Sequence, residues 1–352
     1  MIRALFAFIG SAIGMALAAP IILVTMPFWL VTCCTRTVQQ WIEPRTMQWK
    51  DLIQFDPVVG WKPKPSMRGF CAAEGADIFH VETDEDGWCG PNTLEKSPVV
   101  VFGDSYAFGY AVNRPFFRVS PSELPIKAIG APGYSMVQEL MLITQLAPRL
   151  GGKLVVWFIY PGNDLTDNLS PAMTTFGYRM PFLLESGTHG GWDIVTSHIK
   201  RDTWSSGARH DRNRKIAAVF GKNRVSDRVY AACEFLIGRG QTACRQARAE
   251  LVILTIPWTI QFDRLPWAGV TDTTVDPDLP EKNIGEICAR LGVDFVSGKK
   301  HFTGRHYIPG EGHLNEEGHR KLAAVLHDLY KKQRPSLRDA KRSRSVPVLG
   351  EA

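Results

Sequence analysis

The stretch Val99-Val100-Val101-Phe102-Gly103-Asp104-Ser105 constrains this chain more than any other. Four apolar residues in an unbroken run, bounded by Pro98 and Gly103, fit a strand buried on both faces rather than an alternating, half-exposed one. Strands of that kind belong to parallel sheets covered by helices on each side. Gly103 permits a sharp turn at the carboxyl end, which is where open α/β sheets place their ligands, and the turn delivers Ser105.

The downstream pattern alternates as such a fold requires. Residues 126–129 read as a short strand, and Ser135-x-x-Gln138 is a capping-box pattern opening a helix through Leu150, with Leu140, Ile143 and Leu146 on its buried side. A strand over 154–160 leads into Pro161-Gly162-Asn163-Asp164. Residues 251–256 form the next strand, followed by a helix over 280–291 and a short strand over 293–296. The last helix is expected over 315–331, with Asn315 as N-cap and Leu322, Val325, Leu326 and Leu329 in one stripe. The expected fold is α/β: a three-layer, doubly wound parallel sheet.

A serine hydroxyl is a weak nucleophile without a neighbouring base. The Gly/Pro-rich loop Tyr307-Ile308-Pro309-Gly310-Glu311-Gly312-His313-Leu314-Asn315 supplies His313 immediately before the last helix, at the same sheet edge. His319, inside that helix, reads as structural. Asp104 and Asp164 are expected to stabilise their own turns through backbone hydrogen bonds.

Taken in order, the Ser105 turn, Ile129-Gly130-Ala131-Pro132-Gly133-Tyr134-Ser135, the Asn163 turn and the His313 loop resemble the four blocks of the SGNH (GDSL-type) hydrolase superfamily, over roughly residues 98–330. The resemblance implies a flavodoxin-like SGNH hydrolase fold with Ser105 and His313 as catalytic residues. It also implies an oxyanion hole made by the Ser105 N–H, the Gly133 N–H and the Asn163 side chain. Gly133 is preferred to Gly130 because it lies directly before a helix. The family's Asp, three residues before the histidine, is replaced here by Gly310. Glu311, two residues before His313, is expected to complete a catalytic triad; otherwise a backbone carbonyl orients His313 and a Ser-His dyad remains. No cofactor or metal is implied.

The activity implied is that of a serine esterase removing acetyl or other short acyl groups from a carbohydrate or polysaccharide. The alternatives are an O-acyltransferase using the same residues and a non-catalytic polysaccharide-assembly subunit.

Around this core the chain divides into a transmembrane anchor (1–35), a β-rich lead-in (36–97), the hydrolase-like domain (98–333) with an insertion at 165–249, and a basic tail (334–352) expected to be disordered. No charged residue occurs over 4–31, longer than the about 20 residues that span a bilayer and longer than a signal-peptide core. Gly10, Gly14 and Ala18 form a small-residue stripe that is either the ordinary small-residue content of a membrane helix or a face on which two such helices pair into a homodimer. Arg36, Arg45 and Lys50 outnumber Arg3, which alone would hold the domain in the cytoplasm. Long domains translocate regardless of such charges, however, and anchored relatives lie outside. The expected place is the bacterial inner membrane, with a periplasmic domain.

The insertion far exceeds the usual 2–6-residue αβ connection. Its Arg209, Arg212, Arg214 and Lys215 would form either an anion-binding face or an ordinary solvated one. A net charge of +6 without a nucleic-acid-reading motif gives no reason to expect a nucleic-acid partner. Of the seven cysteines, Cys71 with Cys89 and Cys233 with Cys244 would pair in an oxidising compartment, leaving Cys288; the alternative is free thiols throughout. None has zinc-site spacing.

Overall fold

The apolar run at Val99 forms the second strand of a five-stranded parallel sheet, and every residue of it is buried. The structure is a computed structural model and describes residues 46–47, 49–72, 77–122, 124–170, 174–175, 177–186, 191–197, 199–200, 212–263 and 275–342. The expected membrane anchor, its small-residue stripe, Cys33, Cys34 and Arg209 lie outside these residues. Among the described residues no helix is long and apolar enough to cross a membrane.

The lead-in folds as two antiparallel hairpins, β1 (Ile53–Asp56) with β2 (Gly60–Pro63), and β3 (Arg68–Cys71) with β4 (Phe79–Glu82). It is no separate body. Trp61, Phe79 and Trp88 join the same hydrophobic core as the parallel sheet, and the buried Lys127 ammonium, 2.5 Å from Asp84, ties the turn after β4 to a core strand.

The core strands are β5 (Val99–Gly103), β6 (Ile126–Gly130), β7 (Leu154–Ile159), β10 (Glu250–Thr255) and β11 (Asp294–Val296), with β8 (Phe182–Ser186) and β9 (Gly191–Val195) forming a separate hairpin. Across the core sheet the order is β6-β5-β7-β10-β11, all parallel. Counted by the core strands alone, this is the 2-1-3-4-5 order of flavodoxin-like sheets. The strand order reverses at β5/β7, and ligand crevices in such sheets open at the carboxyl ends of the strands at that switch. Ser105 follows β5 and Asn163 follows β7.

Besides two single turns at Trp49–Leu52 and Phe116–Val119, the described helices are α1 (Ser105–Phe108), α2 (Met136–Leu146), α3 (Asp164–Asp167), α4 (Arg212–Phe220), α5 (Arg224–Ala247), α6 (Leu279–Leu291) and α7 (Glu316–Arg342). α2, α5 and α6 pack side by side on one face, while α7 covers the other. Most boundaries fall within a residue or two of the sequence pattern.

Two expectations are corrected, and one choice left open by the sequence is resolved. The insertion does not run to Ala249, because α5 is the crossover helix from β7 to β10 and forms the middle of a helical layer. Its Gly240 lies against Trp157 of β7, where a Cβ would come within 2.7 Å of the indole. The tail is helical as far as Arg342, despite Pro335, because Leu337 continues the apolar stripe into the core with 5% exposure. Finally, Cys71, Cys89, Cys233, Cys244 and Cys288 are all free and buried. Cys233 and Cys244 are eleven residues apart on α5, about 16 Å along its axis, far beyond disulfide reach.

Candidate active site

Gly103 and Gly130 end β5 and β6 side by side. A Cβ on Gly130 would lie 2.2 Å from the Gly103 carbonyl oxygen, so Gly130 is required for close strand approach. Gly133 differs: it sits in the turn after β6 at φ +77°, a left-handed conformation that favours glycine. The N–H groups of Ser105 and Gly133 have no hydrogen-bond partner among the described residues.

Asp104 caps α1, its Oδ1 accepting from the Tyr106 N–H at 3.0 Å, and this holds Ser105 at the head of the turn. Ser105 Oγ is 2.7 Å from His313 Nε2. His313 Nδ1 is 2.6 Å from Glu311 Oε1, while Glu311 Oε2 accepts the backbone N–H of His313 at 2.7 Å. The geometry therefore brings Ser105, His313 and Glu311 into one hydrogen-bonded chain. Glu311 fixes both the ring and the backbone of His313. The loop makes this possible through Gly310 and Gly312, both left-handed, at φ +79° and +100°. With Nδ1 donating to a carboxylate, Nε2 is left to accept the serine proton.

Asn163 heads the turn before α3 and donates from Nδ2 to the Tyr134 carbonyl at 2.8 Å. Its side chain also lies near the Asp104 carboxyl and favours its ionised form. The amide has two N–H bonds; one anchors Asn163 to the Gly133-Tyr134 turn, and the other would have to choose between Asp104 and an oxyanion. Asp164 stabilises the same turn, its Oδ2 accepting from the Tyr160 N–H at 2.6 Å. His319 is buried, accepts from the Phe116 N–H at Nδ1, and is pushed down to about 3 by burial and then by nearby His313, so it stays neutral.

Behind the turns lie three fully buried carboxyl groups. Burial pushes Asp104 above the usual carboxylate range. Burial and then the charge of Asp104 push Glu139 well above it, and burial, Glu139 and Asp104 do the same to Asp164. Glu139 Oε2 accepts from the Trp157 indole at 2.6 Å. Glu139 Oε1 and Asp164 Oδ1 have no hydrogen-bond partner among the described residues. No group of three or more His, Cys, Asp or Glu side chains among the described residues is arranged to hold a metal ion.

Several contributors carried no sequence signal. Tyr106 donates from its hydroxyl to the Gly312 carbonyl at 2.8 Å, and its ring lies 4.9 Å from the His313 ring. The Tyr110 ring lies 4.7 Å from the same imidazole. Trp61 donates from Nε1 to the Pro132 carbonyl at 3.1 Å, and Tyr134 donates to the Trp61 carbonyl at 2.7 Å, so the lead-in braces the Gly133 turn. Of the basic cluster, Lys215 is neither solvated nor open to an anion: it reaches Asp167 at 2.9 Å and the Gly162 carbonyl at 3.3 Å, pinning α4 to the Asn163 turn. A cleft of about 650 Å³ opens beside the histidine loop, walled by Tyr160, Trp258, Phe262, Tyr307 and the backbone of residues 309–312.

No family model and no curated protein matches the chain. Among solved structures, it is similar to a carbohydrate acetylesterase from Sinorhizobium meliloti, at 11% identity over 67% of this chain and 99% of that one, with a TM-score of 0.40. A GDSL-like lipase from Bacteroides thetaiotaomicron is 14% identical over 69% of this chain and 92% of its own, with a TM-score of 0.35.

Proposed function

We propose that this chain is a serine esterase of the SGNH type, releasing a short acyl group from a carbohydrate ester through an acyl-enzyme on Ser105. The observation that carries the reading is the hydrogen-bonded chain from Ser105 Oγ through His313 to Glu311. In acylation Ser105 Oγ bonds to the acyl carbon as its proton passes to His313 Nε2. The ester C–O bond then breaks and the departing alcohol takes that proton. In deacylation a water oxygen bonds to the acyl carbon and gives its proton to Nε2. The proton returns to Ser105 Oγ as the acyl–serine bond breaks.

Glu311 stabilises the imidazolium formed in each half. The unpartnered N–H groups of Ser105 and Gly133, with Asn163, are the donors for the oxyanion. The cleft suits a sugar ring, having aromatic walls and polar groups in similar measure, among them Asp263 and Thr259.

The test is labelling by a fluorophosphonate probe, which reacts only with an activated serine, together with turnover of acetylated sugars and short aryl esters. Wild type should be labelled and active; Ser105→Ala should be neither, with an unchanged thermal transition. Equal labelling of both proteins would remove Ser105 from the mechanism.

A further inference from the structure

At rest the His313 ring is held at both nitrogens, by Glu311 at Nδ1 and by Ser105 at Nε2. The acyl-enzyme removes one of these ties. Once Ser105 Oγ is esterified it has no proton to donate, and Nε2 must wait for an incoming hydroxyl. The ring is then fixed in its plane by a single hydrogen bond, about which it can swing. A swung ring would meet the nucleophile out of line.

We propose that Tyr110, together with Tyr106, holds the His313 ring in place during that interval, so that both are positioning residues for deacylation. The inference rests on the acyl-enzyme reading above. Both rings touch the imidazole, with centroids 4.7 Å and 4.9 Å away, and neither contact depends on the state of Ser105. Tyr106 is buried, its ring packs tilted against Tyr160 at 4.8 Å, and its hydroxyl grips the Gly312 carbonyl of the histidine loop, so it cannot drift from the ring it supports.

Tyr110 follows the left-handed cap of α1, in which the Gly109 N–H donates to the Tyr106 carbonyl and the Tyr110 N–H donates to the Ser105 carbonyl. Gly109 before it has φ +76°, and Ala111 after it has φ +67°, a conformation an alanine adopts only at a cost. Strain of this kind persists where the surroundings over-determine it. Here it aims one tyrosine at the general base.

The test separates the two half-reactions by burst kinetics of the full-length chain with 4-nitrophenyl acetate. Tyr110→Leu should leave the acylation burst and kcat/KM within about twofold of wild type, because Ser105 still aligns Nε2 in that step. Its steady-state rate should fall about three- to tenfold, the range expected for losing one aromatic contact. As deacylation becomes limiting, kcat and KM fall together. Tyr110→Phe, which keeps the ring, should match wild type in both phases. Tyr110→Met, which fills the space without a rigid ring, should behave as the Leu variant and provides a folded alternative if Leu does not fold.

A loss shared equally by burst and steady state, no loss in either Leu or Met, or a Phe variant as slow as they are would overturn the proposal. A wild type that neither bursts nor is labelled at Ser105 would sink the acyl-enzyme reading and this one with it. A normal wild-type burst with unselective variants would sink this one alone.

Discussion

Replacing Glu311 by glutamine should harm this site more than deleting the side chain altogether. The reason lies in the two bonds Glu311 makes to one residue, from Oε1 to the His313 ring at 2.6 Å and from Oε2 to the His313 backbone N–H at 2.7 Å. Both neighbours donate, so the position requires two acceptors. Glutamine has one. If its oxygen faces Nδ1–H, its NH2 group opposes the backbone N–H, leaving donors unpaired at about 1–3 kcal/mol each. If it turns over, both contacts are satisfied, but the NH2 donates to Nδ1 and drives the ring proton to Nε2, where it blocks the serine. The stable arrangement is therefore the unproductive one, and reaching the other costs about 2–6 kcal/mol. Loss of the charge-assisted bond to the imidazolium removes about 1.5–3 kcal/mol more.

Together these predict a fall in kcat of about 10³-fold or more for Glu311→Gln. In Glu311→Ala water can enter and neither tautomer is enforced, so the fall should be nearer 10²-fold. The assay is initial-rate kinetics on an aryl acetate, with fluorophosphonate labelling rates as a second measure and the thermal transition as a control. A glutamine variant as active as the alanine variant would refute the reasoning, and activity near wild type in both would leave a Ser-His dyad.

Two further expectations follow from the buried polar groups. Asn163→Ala should lower kcat by about 10²–10³ with little change in KM if the amide serves the oxyanion; a change confined to KM would assign it to substrate positioning. Glu139 is pushed well above its ordinary range by burial and then by Asp104, so the native state binds a proton that the unfolded chain has released above about pH 4.5. Its contribution is complete below that pH and declines by about 1.4 kcal/mol per pH unit until Glu139 ionises in the native state. Glu139→Gln keeps an acceptor for the Trp157 indole and should be the more thermostable protein at pH 8, with the gap closing towards pH 5; parallel Tm profiles would contradict a neutral Glu139.

What the sequence revealed follows from what is local in it. The apolar run before Gly103, the capping pattern at Ser135 and the loop around His313 each signal through neighbours in the chain, and the fold assembles them at one sheet edge. Glu311 was legible for the same reason, being two residues from the group it holds. Tyr106 and Tyr110 were not, because an aromatic residue after a buried turn is ordinarily core, and only the fold brings the histidine loop, some 200 positions later, against them. Lys215 read as one of several basic residues because its partner Asp167 is buried by packing that no local pattern announces. The tail was misread because a proline and many charges outweighed one leucine, Leu337, whose burial carries the helix on.

The brace formed by Trp61 alters how the gene could be cut. The Trp61 indole holds the Pro132 carbonyl, Tyr134 holds the Trp61 carbonyl, and Gln138 holds the Val59 carbonyl, three clamps from β2 and its approach onto the turn that carries Gly133. A fragment starting at residue 98 would keep every strand of the parallel sheet together with Ser105, His313 and Glu311. It would nevertheless lose the outer wall of the Gly133 turn and uncover Tyr134 and Gln138, both wholly buried in the intact chain. A shortened chain that keeps the braced turn therefore has to begin before Val59, and a chimera that exchanges the lead-in exchanges the wall behind Gly133 with it.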